Sequence, residues 1–334
     1  MVRLGIGSYV GFGLVGYATN GTNADMDMYF AVGGDFDVLQ VERDRLEFDD
    51  LTSDFQHVTA MVAGHRRVTG SVKLKATYGG MQDLLRAITG HNDAPAVAGG
   101  GFQYDFVPVS RANAAHHIFG STPRGWCIEV FRGGTATNST FYQGCVITSA
   151  KFSFKPNSYV EVDLTFVGRG YTRTAKTASP TFKTDRIKTP TGQSDTLQLG
   201  GTYYVCHSAD IEISLQVEGR YDVGAIEMKQ PLPTAKQMLK LTAEIEVDDD
   251  SFLDKLNDPE GSRFTGGNAL AIVESATKSL SWTFDELLLE SPSEPRATSL
   301  GVVKTQLSMT AQAATVSVPS YSVSLINLES AYNT

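Results

Sequence analysis

The chain has 334 residues, 41% of them hydrophobic and 19% charged, with a formal net charge of -9. That hydrophobic content supports a packed core and excludes wholesale disorder, and the length accommodates one large domain or two of ordinary size. Thirty-two glycines and 12 prolines exceed what a helical bundle uses, and the acidic balance disfavours a protein that clamps nucleic acid by neutralising phosphates.

The opening run Leu4–Val15 holds Gly5, Gly7, Gly11 and Gly13, with only Arg3 as a basic residue before it, so it does not read as a secretory signal. Nor does Gly5-Ile6-Gly7 read as a phosphate loop. That fingerprint needs a strand before it and a helix after it, and Tyr9 to Val15 has no helical periodicity. Beyond it, the segment Arg43 to Gly64 has few turn residues and carries Arg43, Asp44, Arg45, Asp49 and Asp50. Val72, Leu74, Ala76 and Tyr78 alternate as one face of a strand. Met81, Leu84, Leu85 and Ile88 then fall at helical spacing, with Gly90 placed to end the helix. Strands are expected at Cys127–Phe131 and Val146–Phe154. Val160, Val162, Leu164 and Phe166 alternate with Glu161, Asp163 and Thr165. Tyr171 to Gly201, rich in Thr, Lys, Ser, Pro and Gly, reads as a linker or extended arm. Alternation resumes over Ile211–Val217 and Leu239–Val247. A second short helix is expected around Phe252, Leu253 and Leu256 behind Ser251, and Val323 with Leu325 marks a closing strand.

The order of elements repeats. Leu39-Gln40-Val41-Glu42 and Leu215-Gln216-Val217-Glu218 each precede a strand, a short helix and a glycine-rich stretch. The expected fold is mainly β: two tandem β-sandwich or half-barrel domains, each with one short α-helix, over 1–170 and 202–334, joined by a basic linker or arm over 171–201. Arg169, Arg173, Lys176, Lys183, Arg186 and Lys188 make that arm a candidate inter-subunit contact. Glu244, Glu246, Asp248, Asp249 and Asp250 form a separate acidic surface, a candidate partner for the arm in head-to-tail assembly.

Nothing in the sequence demands an enzyme, a metal or a cofactor. There is no GxxxxGK[ST] loop and no GxSxG elbow. Cys127, Cys145 and Cys206 form no CxxC pair and read as small buried hydrophobes in a reducing compartment. His116 and His117 read as loop histidines without a partner, and Asp248-Asp249-Asp250 lacks the alternating ligands of a calcium loop.

Three blocks carry a family resemblance. They are Gly7-Ser8-Tyr9-Val10-Gly11-Phe12-Gly13 with Tyr17-Ala18-Thr19; Val68-Thr69-Gly70-Ser71-Val72 before the helix; and Phe141-Tyr142-Gln143-Gly144-Cys145-Val146 with Ala150-Lys151-Phe152-Ser153-Phe154. In this order and spacing they resemble the major tail tube proteins of long-tailed bacteriophages. The resemblance covers roughly the first half of the chain. The second half departs from it, lacking a Gly-Cys block, which leaves open a decoration domain rather than a true copy.

The resemblance implies a structural virion protein that self-assembles into stacked rings, a hollow conduit through which double-stranded DNA passes without sequence-specific binding. It implies six-membered rings for single-domain members and pseudo-sixfold trimers for duplicated ones, so the repeat favours the trimer. Tape measure, tail terminator and baseplate or distal tail proteins are the implied partners, and the virion tail the implied location after synthesis in the host cytoplasm. Stacking rings need a reaching segment, for which the candidates are Arg43 to Gly64 and the basic arm. Glu244, Glu246, Asp248, Asp249 and Asp250 are alternatively a candidate lumen surface, since an acidic inner wall would repel phosphate and let duplex DNA slide. The alternative reading is a β-sandwich adhesin or carbohydrate-binding surface module.

Overall fold

The computed structural model describes residues 8–32, 39–48, 60–91, 94–110, 113–133, 137–189, 196–223, 225–246, 263–290, 296–297, 303–315 and 318–331. The first half contains β1 (Tyr9–Gly16), β2 (Met28–Ala31), β3 (Gln40–Phe48), β4 (Ala60–Lys75), α1 (Met81–Thr89), β5 (Ala96–Ala98), β6 (Gly101–Phe106), β7 (Arg124–Phe131), β8 (Asn138–Phe154), β9 (Glu161–Gly168) and β10 (Gly170–Ala175). The second half contains β11 (Leu197–Leu199), β12 (Thr202–Tyr204), β13 (Cys206–Ser214), β14 (Val217–Arg220), β15 (Lys229–Pro233), β16 (Met238–Glu246), β17 (Arg263–Ser275), β18 (Lys278–Leu289), β19 (Arg296–Ala297), β20 (Val303–Gln312) and β21 (Tyr321–Asn327). The protein is mainly β, as the alternating sequence predicts, and every pairing between these strands is antiparallel.

The long strand β8 joins two sheets. Its first half lies between β7 and β10, in a sheet that continues from β7 through β1 to β2. Its second half lies between β9 and β13 in the main sheet. The change of partners falls at Gly144, whose φ is 59°, a left-handed conformation that strains any residue with a Cβ. A Cβ there would also stand 3.1 Å from Arg169 Cβ and 3.2 Å from the Tyr17 carbonyl oxygen, so only glycine lets the strand bend here.

The main sheet runs β3–β4–β9–β8–β13–β16–β20–β18 and crosses from one half of the sequence to the other at β8–β13. Its register stacks the apolar positions into one row: Leu74, Val162, Phe152, Ile211, Leu241 and Met309, ending at Leu289 of β18. All are buried in a single core shared by the two halves. The far edge of β18 carries β17, while β21 and β6 extend the sheet beyond its first half. The order β3–β4–β9–β8–β7 thus recurs as β13–β16–β20–β18–β17. The two Leu-Gln-Val-Glu segments each open a hairpin, β3–β4 in the main sheet and β14–β15 in a separate two-stranded sheet. Alternation over Ile211–Val217 is interrupted in the structure: β13 ends at Ser214, and Gln216 takes a φ of 36° to turn the chain into β14.

The helix α1 forms where the spacing predicts it. Gly90 ends it with φ 77°, its N–H donating to the Arg86 carbonyl, and every residue but Arg86 is buried. The second expected helix, around Phe252, Leu253 and Leu256, lies outside the described residues.

His116 and His117 lie in a loop as expected, but His116 is not without partners. Both are buried, in a turn closed by its own backbone hydrogen bonds. His116 Nδ1 accepts from the N–H groups of Ile118 and Phe119, at 3.1 and 3.2 Å. Burial, with Arg86 and Arg124 nearby, pushes His117 down to about 3 from its ordinary value. The folded chain therefore excludes a proton that the unfolded chain binds below about pH 6.5. The stability His117 contributes is full above that pH and is lost as the pH falls towards its folded value, by at most about 1.4 kcal/mol per pH unit. His117→Gln is expected to flatten the acid limb of stability measured by denaturant titration over that window. An unchanged slope would assign the acid sensitivity elsewhere.

Candidate functional site

The face of the main sheet turned away from the core is polar from strand to strand. Directly beside the apolar row, the register aligns Lys73, Asp163, Lys151, Glu212, Lys240 and Thr310 across six strands, so charge alternates in sign along the row. Cross-strand ion pairs link this face: Lys73–Glu161 at 3.1 Å, Lys151–Asp210 at 3.0 Å, Lys240–Glu290 at 2.9 Å and Lys304–Glu244 at 3.8 Å. Each exposed pair is worth at most about 1 kcal/mol. Their larger effect is to leave the face with little uncompensated charge. Of the predicted acidic residues, Glu244 and Glu246 project from this face. Glu246 accepts from or pairs with His207 Nε2 at 2.6 Å, while Asp248, Asp249 and Asp250 lie outside the described residues.

The basic segment after β10 folds back along its own subunit. Thr177 is bound by Glu129, a carboxylate of β7 with no exposed surface. Glu129 accepts from the Tyr9 hydroxyl at 2.9 Å, the Ser139 hydroxyl at 2.6 Å, the Thr177 N–H at 3.0 Å and the Thr177 hydroxyl at 2.7 Å. Four donors from β1, β8 and the arm replace the water that the buried carboxylate has lost. Burial, with Glu129 beside it, raises the Tyr9 phenol above its ordinary value. Around this anchor Tyr9, Tyr29, Phe131, Phe141, Cys127 and Met26 form a second, smaller core on the outer face of the β1–β7 sheet, and the arm's Phe182 packs edge-on against Tyr9.

Lys183 forms a 2.6 Å ion pair with Glu329, which also accepts from the Gly80 N–H and the Gln82 amide at the start of α1. Burial opposes ionisation of Glu329, but the hydrogen bonds from Lys183 and Gln82 prevail and hold it below the usual carboxylate range. Lys176 lies over the Phe131 ring at 4.4 Å, and Arg169 pairs with Glu227 at 3.2 Å. Arg186 and Lys188 both approach Tyr159, whereas Arg173, on β10, is exposed. The predicted basic residues are thus spread along one pinned segment, with Arg173 free to reach outward.

In the β3–β4 hairpin, Arg43 and Asp44 are exposed and Arg45 sits opposite Ala63 after a bulge, while Asp49 and Asp50 lie outside the described residues. The β14–β15 hairpin folds against β4: the Arg66 N–H donates to the Ile226 carbonyl at 2.8 Å, and Arg66 pairs with Glu227 at 2.6 Å. Cys127 and Cys145 are fully buried, and burial pushes the Cys127 thiol up to about 12. Among the described residues, no three of His, Cys, Asp and Glu gather closely enough to hold a metal.

A family model described as phage tail tube protein matches residues 10–319, nearly the whole chain. The chain belongs to the phage tail tube protein family. The resemblance drawn from the three blocks of the first half is therefore borne out, and the match extends through the second half as well. No curated protein sequence matches the chain. Tail tube proteins are structural rather than enzymatic components of the phage tail, which fits a site made of sheet faces and edges. Gly13, in the opening motif of this tail tube chain, has a local reason: a Cβ there would meet the Asp25 carbonyl oxygen at 1.8 Å, where the chain after β1 crosses back over it.

Proposed function

We propose that copies of this chain close into rings that stack into the hollow tail tube, with the polar face of the main sheet lining the DNA channel. The supporting observation is the uninterrupted row from Lys73 to Thr310, which runs through both halves of one chain. A sheet sealed by apolar side chains on one face and carrying paired charges on the other is suited to be a wall. Its paired cations offer phosphate little to grip, so DNA slides. The recurring strand order supplies two equivalent wall segments per copy, which favours three copies per ring, and ring closure covers the sheet edges. The chain would be made in the host cytoplasm and assemble with tape measure, terminator and distal tail proteins. Negative-stain electron microscopy of the purified chain at rising concentration, with light scattering, tests this. Stacked rings or tubes are expected, and uniform small particles at every concentration would overturn it.

The edge strand β10 is the proposed contact between copies. Tyr171 to Ala175 are exposed on both faces of the strand, and among the described strands β10 pairs only with β8. Among the described residues this surface meets Arg66, over the Tyr171 ring at 5.8 Å, and Gln143, which donates to the Thr172 hydroxyl, while Arg173 stands exposed at its centre. Arg173→Glu with Lys176→Glu is expected to leave the monomer folded by circular dichroism and to abolish rings by microscopy. Normal tubes from that variant would remove β10 and the arm from the interface.

A further inference from the structure

Each of the lysines 73, 151, 240 and 304 on the polar face is paired with a carboxylate. One place on the same face departs from that rule. Lys75 Nζ lies 5.1 Å, the Arg186 guanidinium 5.4 Å and Lys188 Nζ 5.9 Å from the centre of the Tyr159 ring. Two carboxylates beside the cluster are engaged elsewhere: Glu161, opposite Lys75, holds Lys73 at 3.1 Å, and Asp185, next to Arg186, holds Lys278 at 2.9 Å.

The backbone explains how three cations gather there. Residues 185–189 insert between the end of β4 and the start of β9. The Ile187 N–H donates to the Ala76 carbonyl at 2.9 Å, and the Val160 N–H donates to the Ile187 carbonyl at 3.0 Å. Ile187 is fully buried, so its neighbours Arg186 and Lys188 alternate onto the opposite, polar face. There they join Lys75, which faces the same side opposite Glu161. Like charges drawn together repel, and the tyrosine ring offsets only part of that repulsion. An anion would relieve it.

We infer that this cluster is a contact site for the backbone phosphates of duplex DNA at one rim of the channel wall. The inference rests on the reading of the polar face as that wall. Because the cations cover the tyrosine ring, bases cannot stack on it, and the contact is with phosphate and independent of sequence. A rim contact would hold the end of the DNA without gripping its length.

The test is fluorescence anisotropy of a labelled random-sequence duplex titrated with the full chain over a range of salt concentrations. Three neutralised phosphates predict a log affinity against log salt slope of about -2.7. Lys75→Gln with Arg186→Gln and Lys188→Gln is expected to weaken binding at least about tenfold at low salt and to flatten that slope. Lys73→Gln with Lys151→Gln and Lys240→Gln, which removes paired lysines from the same face, is expected to leave both unchanged. No wild-type binding at low salt, or full binding by the first variant, overturns the site. A first variant that is folded but forms no tubes would assign the cluster to carboxylates of a neighbouring copy, and also overturns it. Assembled tubes that capture duplex tethered to beads too large to enter would place the cluster outside the channel. In that case the wall reading fails while the phosphate site stands.

Discussion

Glu129→Ala is expected to lower the unfolding free energy by about 3–5 kcal/mol, measured by denaturant titration. The size follows from what the carboxylate holds. It accepts four hydrogen bonds, and truncation leaves the Thr177 N–H and three hydroxyls facing a cavity beside the small aromatic core. Hydroxyls can rotate towards other acceptors, but a backbone N–H cannot, so part of the loss has no remedy. Glu129→Gln keeps an acceptor and the shape, and should lose roughly half as much. The defect should also release the arm, because Thr177 is its first anchor after β10. Limited proteolysis should therefore cut within residues 176–189 earlier in Glu129→Ala than in the wild type. A variant within about 1 kcal/mol of wild type, with an unchanged cleavage pattern, would show that the carboxylate is not the clasp.

Phe152→Ala should cost a comparable amount, about 3–5 kcal/mol, through lost apolar burial and the cavity left behind. Phe152 is fully buried in β8, and its ring meets Trp282 of β18 edge-on with centroids 5.1 Å apart. One residue comes from the first half of the sequence and the other from the second, in a core that has no seam between them. Unfolding followed by tryptophan fluorescence and by far-ultraviolet circular dichroism is therefore expected to shift as one coincident transition. If circular dichroism splits into two steps and only one of them moves, the halves unfold separately and the shared core does not couple them.

Much of this molecule is local and legible. Period-two alternation assigns Val160–Phe166, Leu239–Val247 and Val72–Tyr78 to strands and names their buried faces, because the pleat alone decides which side each residue takes. Spacing of 3.6 residues and one glycine place α1 and its end at Gly90. Burial of Cys127 and Cys145 was equally readable, whereas Cys206, expected to be buried by the same argument, is only half-buried at the start of β13. What alternation cannot supply is the identity of the strand alongside. Lys73, Asp163, Lys151, Glu212 and Lys240 are scattered over nearly 170 positions, and they form a row only because their strands pair in one register.

The same limit hid the remaining features. The basic residues between Arg169 and Lys188 read as a solvated arm. Their charge says nothing of Glu129 or Glu329, which lie 40 or more positions away from Thr177 and Lys183 in the sequence and meet them only on folding. His116 looked unpartnered because its ring accepts from backbone N–H groups in its own turn. The β class, the one described α-helix, the inward faces and the family are all legible in the residues. Folding alone brings the two halves into one sheet and core, pairs the lysines of the polar face with carboxylates, and gathers Lys75, Arg186 and Lys188 around one tyrosine. Strand assignment depends on neighbours a few residues away, whereas pairing, burial of polar groups and charge compensation depend on contacts across the whole chain.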